Sequence, residues 1–222
     1  MIKNNRQIYN QQFSEEKYQA FLDDIISTYK YTPPFKIAET PVFIPKELKE
    51  RLIKACDEIL EVIHQPNFKK LTDGAFFDPK TIVPNEDETS KFMQLDFGIC
   101  KDADGNLVPK LIELQGFPSL YCFQELIGGV YRKHFGNAIP ENYSQHINGM
   151  TSKGYIDLLQ QEIVGDTNPN QIILLEIEPH KQATAIDFYA TEKALGIKVL
   201  CISELIKKGK ELFYKDDKGE EI

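Results

Sequence analysis

The sequence lacks the features that would place it in a membrane or on a nucleic acid. No apolar run approaches the roughly 18 residues of a membrane-spanning helix; the longest lies at Ile172-Ile173-Leu174-Leu175. The opening Met1-Ile2-Lys3-Asn4-Asn5-Arg6-Gln7 is polar and has no apolar h-region of a secretory signal. Four cysteines, Cys56, Cys100, Cys122 and Cys201, form no CxxC and have no histidine at ligand spacing, which excludes a zinc ribbon or a disulfide frame by pattern. They read as reduced, mostly core residues of a cytoplasmic protein. No basic stripe is visible in a chain of net charge −8, so a phosphate-tracking nucleic-acid binder is disfavoured. No GxGxxG follows a strand, which argues against a Rossmann dinucleotide site.

What is present is a chain of 222 residues with 41% hydrophobic and 27% charged residues, the balance of a globular protein. Two amphipathic helices are predicted early. Behind a Ser14 N-cap, Tyr18, Phe21, Leu22, Ile25, Ile26 and Tyr29 share a face, and Pro33-Pro34 stops the helix. Pro45 sits where an N1 proline starts the next one, with the stripe Leu48, Leu52, Ala55, Cys56, Ile59, Leu60 and Ile63. Both stripes predict core. Residues 67–91 read as loop. Helices are predicted over 120–134 and 151–164. After Gly165 a strand over 171–177, a helix over 182–195 and a strand over 197–202 form a βαβ unit, which implies a parallel sheet. The sequence places a domain boundary here, giving 1–166 and 167–222. Glu211-Leu212-Phe213-Tyr214 and Lys215-Asp216-Asp217-Lys218-Gly219 read as a strand entering a hairpin, with only Glu220-Glu221-Ile222 left for the return. A second repeat begins without room to finish, so the chain reads as cut.

The chemistry concentrates in residues 92–115. Phe92 to Cys100 and Leu107 to Gln115 are strand-like, and Asp104-Gly105 between them is a strong hairpin signal. Alternation places Gln94, Asp96 and Gly98 on one face and Met93, Leu95, Phe97 and Ile99 on the other. In the second strand Glu113 and Gln115 share a face, with Ile112 and Leu114 opposite. With Asp104-Gly105 as the two central turn residues, Asp96 faces Glu113 and Gln94 faces Gln115. Two facing carboxylates roughly 5 Å apart repel by about 3 kcal/mol at an effective dielectric near 20. Either the face is solvated and the acids are merely exposed, or one acid is protonated, or a cation sits between them. Asp96, Glu113 and the Gln115 amide oxygen suit a hard cation such as Mg²⁺.

The segment Leu95-Asp96-Phe97, a turn, then Pro109-Lys110-Leu111-Ile112-Glu113-Leu114-Gln115-Gly116-Phe117-Pro118-Ser119-Leu120 resembles the amino-terminal part of glutathionylspermidine synthase-like proteins, which are circularly permuted ATP-grasp carbon–nitrogen ligases. Their pattern is Arg-Phe-Asp-Phe, a turn, then Pro-Lys-Leu-Leu-Glu-Tyr-Asn and a segment opening a helix. The resemblance implies that Asp96, Glu113 and Gln115, the last in place of Asn, bind the Mg²⁺ of Mg-ATP. It implies that Ser119 and the helix start behind it lie near cofactor or substrate, and that Gln94 stands where the family carries Arg. The resemblance is sharp over residues 92–125, weaker over 171–214, and covers 1–91 only as helices.

The expected fold class is therefore α/β, an ATP-grasp-like mixed α+β portion followed by a partial pre-ATP-grasp, Rossmann-like βαβ domain. The implied function is ATP- and Mg²⁺-dependent ligation of a small-molecule carboxylate to an amine, with no turnover by these residues alone because the family's other ATP-gripping parts have no counterpart here. The alternative is a non-catalytic module that binds a ligand or partner through the same face. A third reading pairs the unfinished sheet edge with a second copy of the chain. His180, at the end of the predicted first βα turn, is a lesser candidate, and His64, His134 and His146 read as surface or helix-end residues.

Overall fold

The computed structural model describes residues 3–76, 78–86, 90–117 and 120–222. Helices α1 (Lys3–Gln12), α2 (Glu15–Tyr29), α3 (Lys46–Ile63) and α4 (Phe68–Thr72) precede strands β1 (Gln94–Lys101) and β2 (Leu107–Gln115). Then come α5 (Tyr121–Phe135), α6 (Ser152–Leu159), β3 (Ile173–Glu176), α7 (Ala185–Leu195), β4 (Lys198–Cys201), β5 (Ile206–Lys208) and β6 (Glu211–Phe213). The strands form three two-stranded sheets, β1–β2 and β5–β6 antiparallel and β3–β4 parallel. The protein is thus mixed α/β with small sheets. Among the described residues no helix is long and apolar enough to cross a membrane.

The chain divides into two compact units, Val42–Pro118 in one and Lys3–Pro41 with Ser119–Ile222 in the other. The sequence break at 166/167 is not where they part. The reason is packing: α5, which precedes that break, packs against α7, which follows it, and α2 packs against both.

In the second unit the helices follow their sequence signals. Ser14 caps α2 through the Lys17 N–H at 3.3 Å, Glu15 and Glu16 occupy the first turn, and Tyr18, Phe21 and Ile25 are buried as the stripe requires. The polar helix α1 buries only Tyr9, so it offers no stripe to read. Its tyrosine joins an aromatic core. Tyr9 lies 5.1 Å from Phe135 between ring centroids, and Phe21 lies 4.8 Å from Tyr131. Such pairs add about 0.5–1.5 kcal/mol beyond burial. The polar ends of these rings tie down an extended segment: Tyr9, Tyr18 and Tyr131 hydroxyls donate to the carbonyls of Glu39, Ile37 and Ala38. Burial pushes the Tyr131 phenol up to about 12.

The parallel pair β3–β4 with α7 between them realises the predicted βαβ unit, and Gly196 in the left-handed region ends α7. The carboxy-terminal segment folds back on itself as a hairpin. Strand β6 pairs with β5, and Tyr214 and Ile222 exchange backbone hydrogen bonds at 3.2 and 2.9 Å. Of the four cysteines, all free, only Cys122 is buried, against the expectation of mostly core positions.

Helix α5 starts at Tyr121 behind Leu120, which sits at φ 57° and provides no capping side chain. The cap comes from another element. Asp187 in the first turn of α7, 7% exposed, accepts the Phe123 N–H at 2.8 Å and the Leu120 N–H at 3.1 Å. Burial raises the Asp187 pKa, outweighing the backbone donors from Phe123, Leu120 and Cys122 that lower it. A carboxyl raised in the fold contributes stability below its unfolded value, near 4, and loses it as pH rises through the folded value. Asp187→Ala is therefore expected to cost about 1–3 kcal/mol by urea unfolding. Asp187→Asn, which retains an acceptor, should become less destabilising relative to the parent as pH rises from about 4 to 7. A pH-independent difference would contradict this account.

Candidate functional site

The hairpin β1–β2 belongs to the unit Val42–Pro118 and packs its second strand against α3. Phe97, Pro109, Leu111 and Leu114 line a groove of about 470 Å³ with Ile59 and Val62 of α3. The apolar face is thus turned toward the helix. The α3 stripe is less buried than its periodicity predicts, with only Leu48 fully enclosed. Pro45 is the N-cap of α3 rather than N1, its carbonyl accepting the Lys49 N–H.

The turn differs from the two-residue loop that Asp104-Gly105 predicts. Asp102 and Asn106 close it, with the Asp102 N–H donating to Asn106 O at 2.9 Å and the Gly105 N–H donating to Asp102 O at 3.1 Å. The Asp102 carboxylate also accepts the Asp104 and Asn106 N–H groups, which fixes a three-residue loop with Gly105 at φ 82°. Hydrogen bonds from Asn106, the side-chain amide first, hold the Asp102 carboxyl below its ordinary value. The same arrangement recurs at Asp216, which accepts from Lys218 and Glu220 beside Gly219 at φ 81°.

A three-residue loop puts Lys101 against Leu107 and Phe97 against Leu111. Continued unbroken, it would set Asp96 against Ile112 and Leu95 against Glu113, polar against apolar. A bulge between Asp96 and Phe97 removes the conflict. Ile112 is the extra residue, and beyond it Leu95 pairs with Leu114, Asp96 with Glu113 and Gln94 with Gln115. The pairing that the sequence predicts is present, reached by two irregularities that cancel. The bulge also moves Ile112, which alternation had placed opposite Glu113. Its Cδ1 lies 3.6 Å from where a Gly98 Cβ would stand, on the Asp96 face.

On this face each acid is held by a glutamine of its own strand. Gln94 Nε2 donates to Asp96 Oδ1 at 3.2 Å, and Gln115 Nε2 donates to Glu113 Oε1 at 2.7 Å. Among the described residues, Asp96 Oδ2 and Glu113 Oε2 receive no protein donor. On the other side of the same amide, Gln94 Oε1 is buried without a donor. Leaving such an acceptor unpaired costs about 1–3 kcal/mol. Glu113 is exposed and Asp96 half-buried, so water screens their repulsion toward about 1 kcal/mol. The role of Gln94 is new; its place two residues before Asp96 in an alternating strand was the available signal.

The donor set is oxygen only. Among the described residues no three His, Cys, Asp or Glu side chains cluster as a metal site. Any ion on this face would therefore rest on two carboxylates and amide oxygens, a set that fits Mg²⁺ and not zinc. Ser119 lies outside the described residues. The first turn of α5 behind it is not an open anion site, because Leu120 and Phe123 donate to Asp187.

The histidines scatter. His180 follows β3 and its Nδ1 lies 2.9 Å from the Tyr189 hydroxyl. Nearby, Cys201 ends β4, and the Ser203 hydroxyl, with N–H groups of Ser203 and Glu178, lowers its thiol pKa. His134 and Lys133 share Asp24. His146 is not a surface residue: its side chain is 8% exposed and lies 2.8 Å from Glu125.

No protein family, curated protein or solved structure compared with this chain matches it.

The hairpin loop can be tested directly. Gly105→Ala forces a side chain into the left-handed region and is expected to cost about 1 kcal/mol in chemical unfolding, whereas Asn106→Ala should cost less. Equal effects would mean that φ at 105 does not set the turn.

Proposed function

We propose that the polar face of the β1–β2 hairpin holds Mg²⁺ and, with it, the phosphates of ATP, in a carboxylate–amine ligase of the ATP-grasp type. The observation that carries this reading is Asp96 paired with Glu113 beside a buried Gln94 Oε1 that lacks a donor. Asp96, Glu113 and Gln115 would hold the ion. Bound there, Mg²⁺ would screen phosphate charge while a small-molecule carboxylate is joined to an amine. The protein's own contribution is orientation. The Gln94 and Gln115 amides fix one oxygen of each carboxylate and leave the other free to face a cation. The resemblance to glutathionylspermidine synthase-like proteins over residues 92–125 supplies the reaction class.

A second reading is a non-catalytic module that uses the same face for a ligand or partner. It is favoured by Gln94 in the position where that family carries Arg, and by the engagement of the α5 N-terminus with Asp187.

Thermal unfolding with and without Mg²⁺ tests the site. The parent protein should gain stability with Mg²⁺, and Asp96→Asn should gain none. In EDTA, Asp96→Asn should be up to about 1 kcal/mol more stable than the parent, because repulsion is relieved. Equal responses of the two proteins to Mg²⁺ would remove the assignment. Calorimetric titration of a non-hydrolysable ATP analogue then separates the readings. Mg²⁺-dependent nucleotide binding supports the ligase, and Mg²⁺ binding with no nucleotide affinity supports the module.

A further inference from the structure

The carboxy-terminal ends of α1 and α5 border a pocket of about 180 Å³ lined by Gln12, Lys17, Arg132, Lys133, His134 and Asn137. The chain carries net charge −8, so a pocket walled by three permanent cations and a histidine runs against its composition. The charges do not cancel locally. Lys133 Nζ and His134 Nε2 both contact the same oxygen, Asp24 Oδ2, at 2.7 and 2.9 Å. Lys17 Nζ donates to the Gln12 carbonyl at 2.9 Å. Arg132 donates to the carbonyls of Ile139, Pro140 and Tyr143. Among the described residues neither Lys17 nor Arg132 has a carboxylate partner.

Helix C-termini attract cations, which explains why basic side chains gather here. It does not account for their number. Two helix ends supply about −0.5 each and Asp24 supplies one negative charge, against the three permanent cations Lys17, Arg132 and Lys133. About one positive charge remains, inside a polar concavity with the Gln12 and Asn137 amides at its wall. Arg132 is fixed by its three carbonyls, so its charge cannot swing away, whereas Lys17 and Lys133 have flexible stems that can close on a ligand.

We propose that this pocket binds a small tetrahedral oxyanion, either inorganic phosphate or the phosphate end of a small phosphomonoester. The site is independent of the hairpin reading, since it uses no residue of β1 or β2.

The test is a titration of the ¹⁵N-labelled full chain in low-chloride buffer at pH 7, once with inorganic phosphate and once with glycerol phosphate, following amide shifts. Saturable shifts are expected at residues 12–17 and 132–137 with one or both ligands, and the stronger ligand identifies the source. Lys17→Gln, which retains a donor toward the Gln12 carbonyl, should weaken binding about tenfold. Asp24→Asn, which releases Lys133 from its partner, should tighten it. Shifts that stay linear, that spread over the surface, or that have the same affinity in Lys17→Gln and Asp24→Asn as in the parent would overturn the proposal.

Discussion

A strand's side chains alternate between two faces, so a hairpin must bring polar residues opposite polar ones or surrender one face. The geometry of the candidate site depends on that constraint. The Asp102–Asn106 loop sets a register that alone would misalign the strands, and the bulge at Ile112 restores it. The opposition of Asp96 to Glu113 and of Gln94 to Gln115 is the consequence of that one extra residue. A bulge is also a bend and a local increase in twist. It lies next to the Asp96–Glu113 pair.

In the second unit a different constraint dominates, the need of buried polar groups for partners. Three tyrosines bury their rings in the core and must place their hydroxyls, and the segment 37–39 offers three successive carbonyls. The first turn of α5 has donors without a local cap, and Asp187 of α7 supplies the acceptor. Each solution links elements distant in sequence. The α5 N-terminus, which would look free when the helix is considered alone, is thereby closed to an outside anion.

Much of this was legible locally. The Ser14 cap, the face of α2 and the βαβ unit all follow from spacing and turn residues. The hairpin pairing was reached by way of a turn the structure does not contain. Asp104-Gly105 fits a two-residue loop, and nothing in the sequence weighs that against the Asp102 carboxylate accepting two N–H groups. The stripe of α3 shows the opposite failure. Its periodicity is strong, yet among its residues only Leu48 is fully buried, because periodicity reports which face is apolar and not how much lies against it.

The sequence by itself determined the longer elements other than α1, their apolar faces and the polar composition of the hairpin, since these depend on residues within a few positions of one another; α1 and the short α4, inside the segment 67–91 that reads as loop, carry no such local signal. Only the tertiary structure decided the division into units, the Asp187 cap, the burial of His146 beside Glu125 and the gathering of Lys17 with Arg132 and Lys133. Each of these joins side chains from separate helices or loops. Local propensity carries no record of which distant group will satisfy a buried donor or leave a charge uncompensated, and packing alone makes that choice.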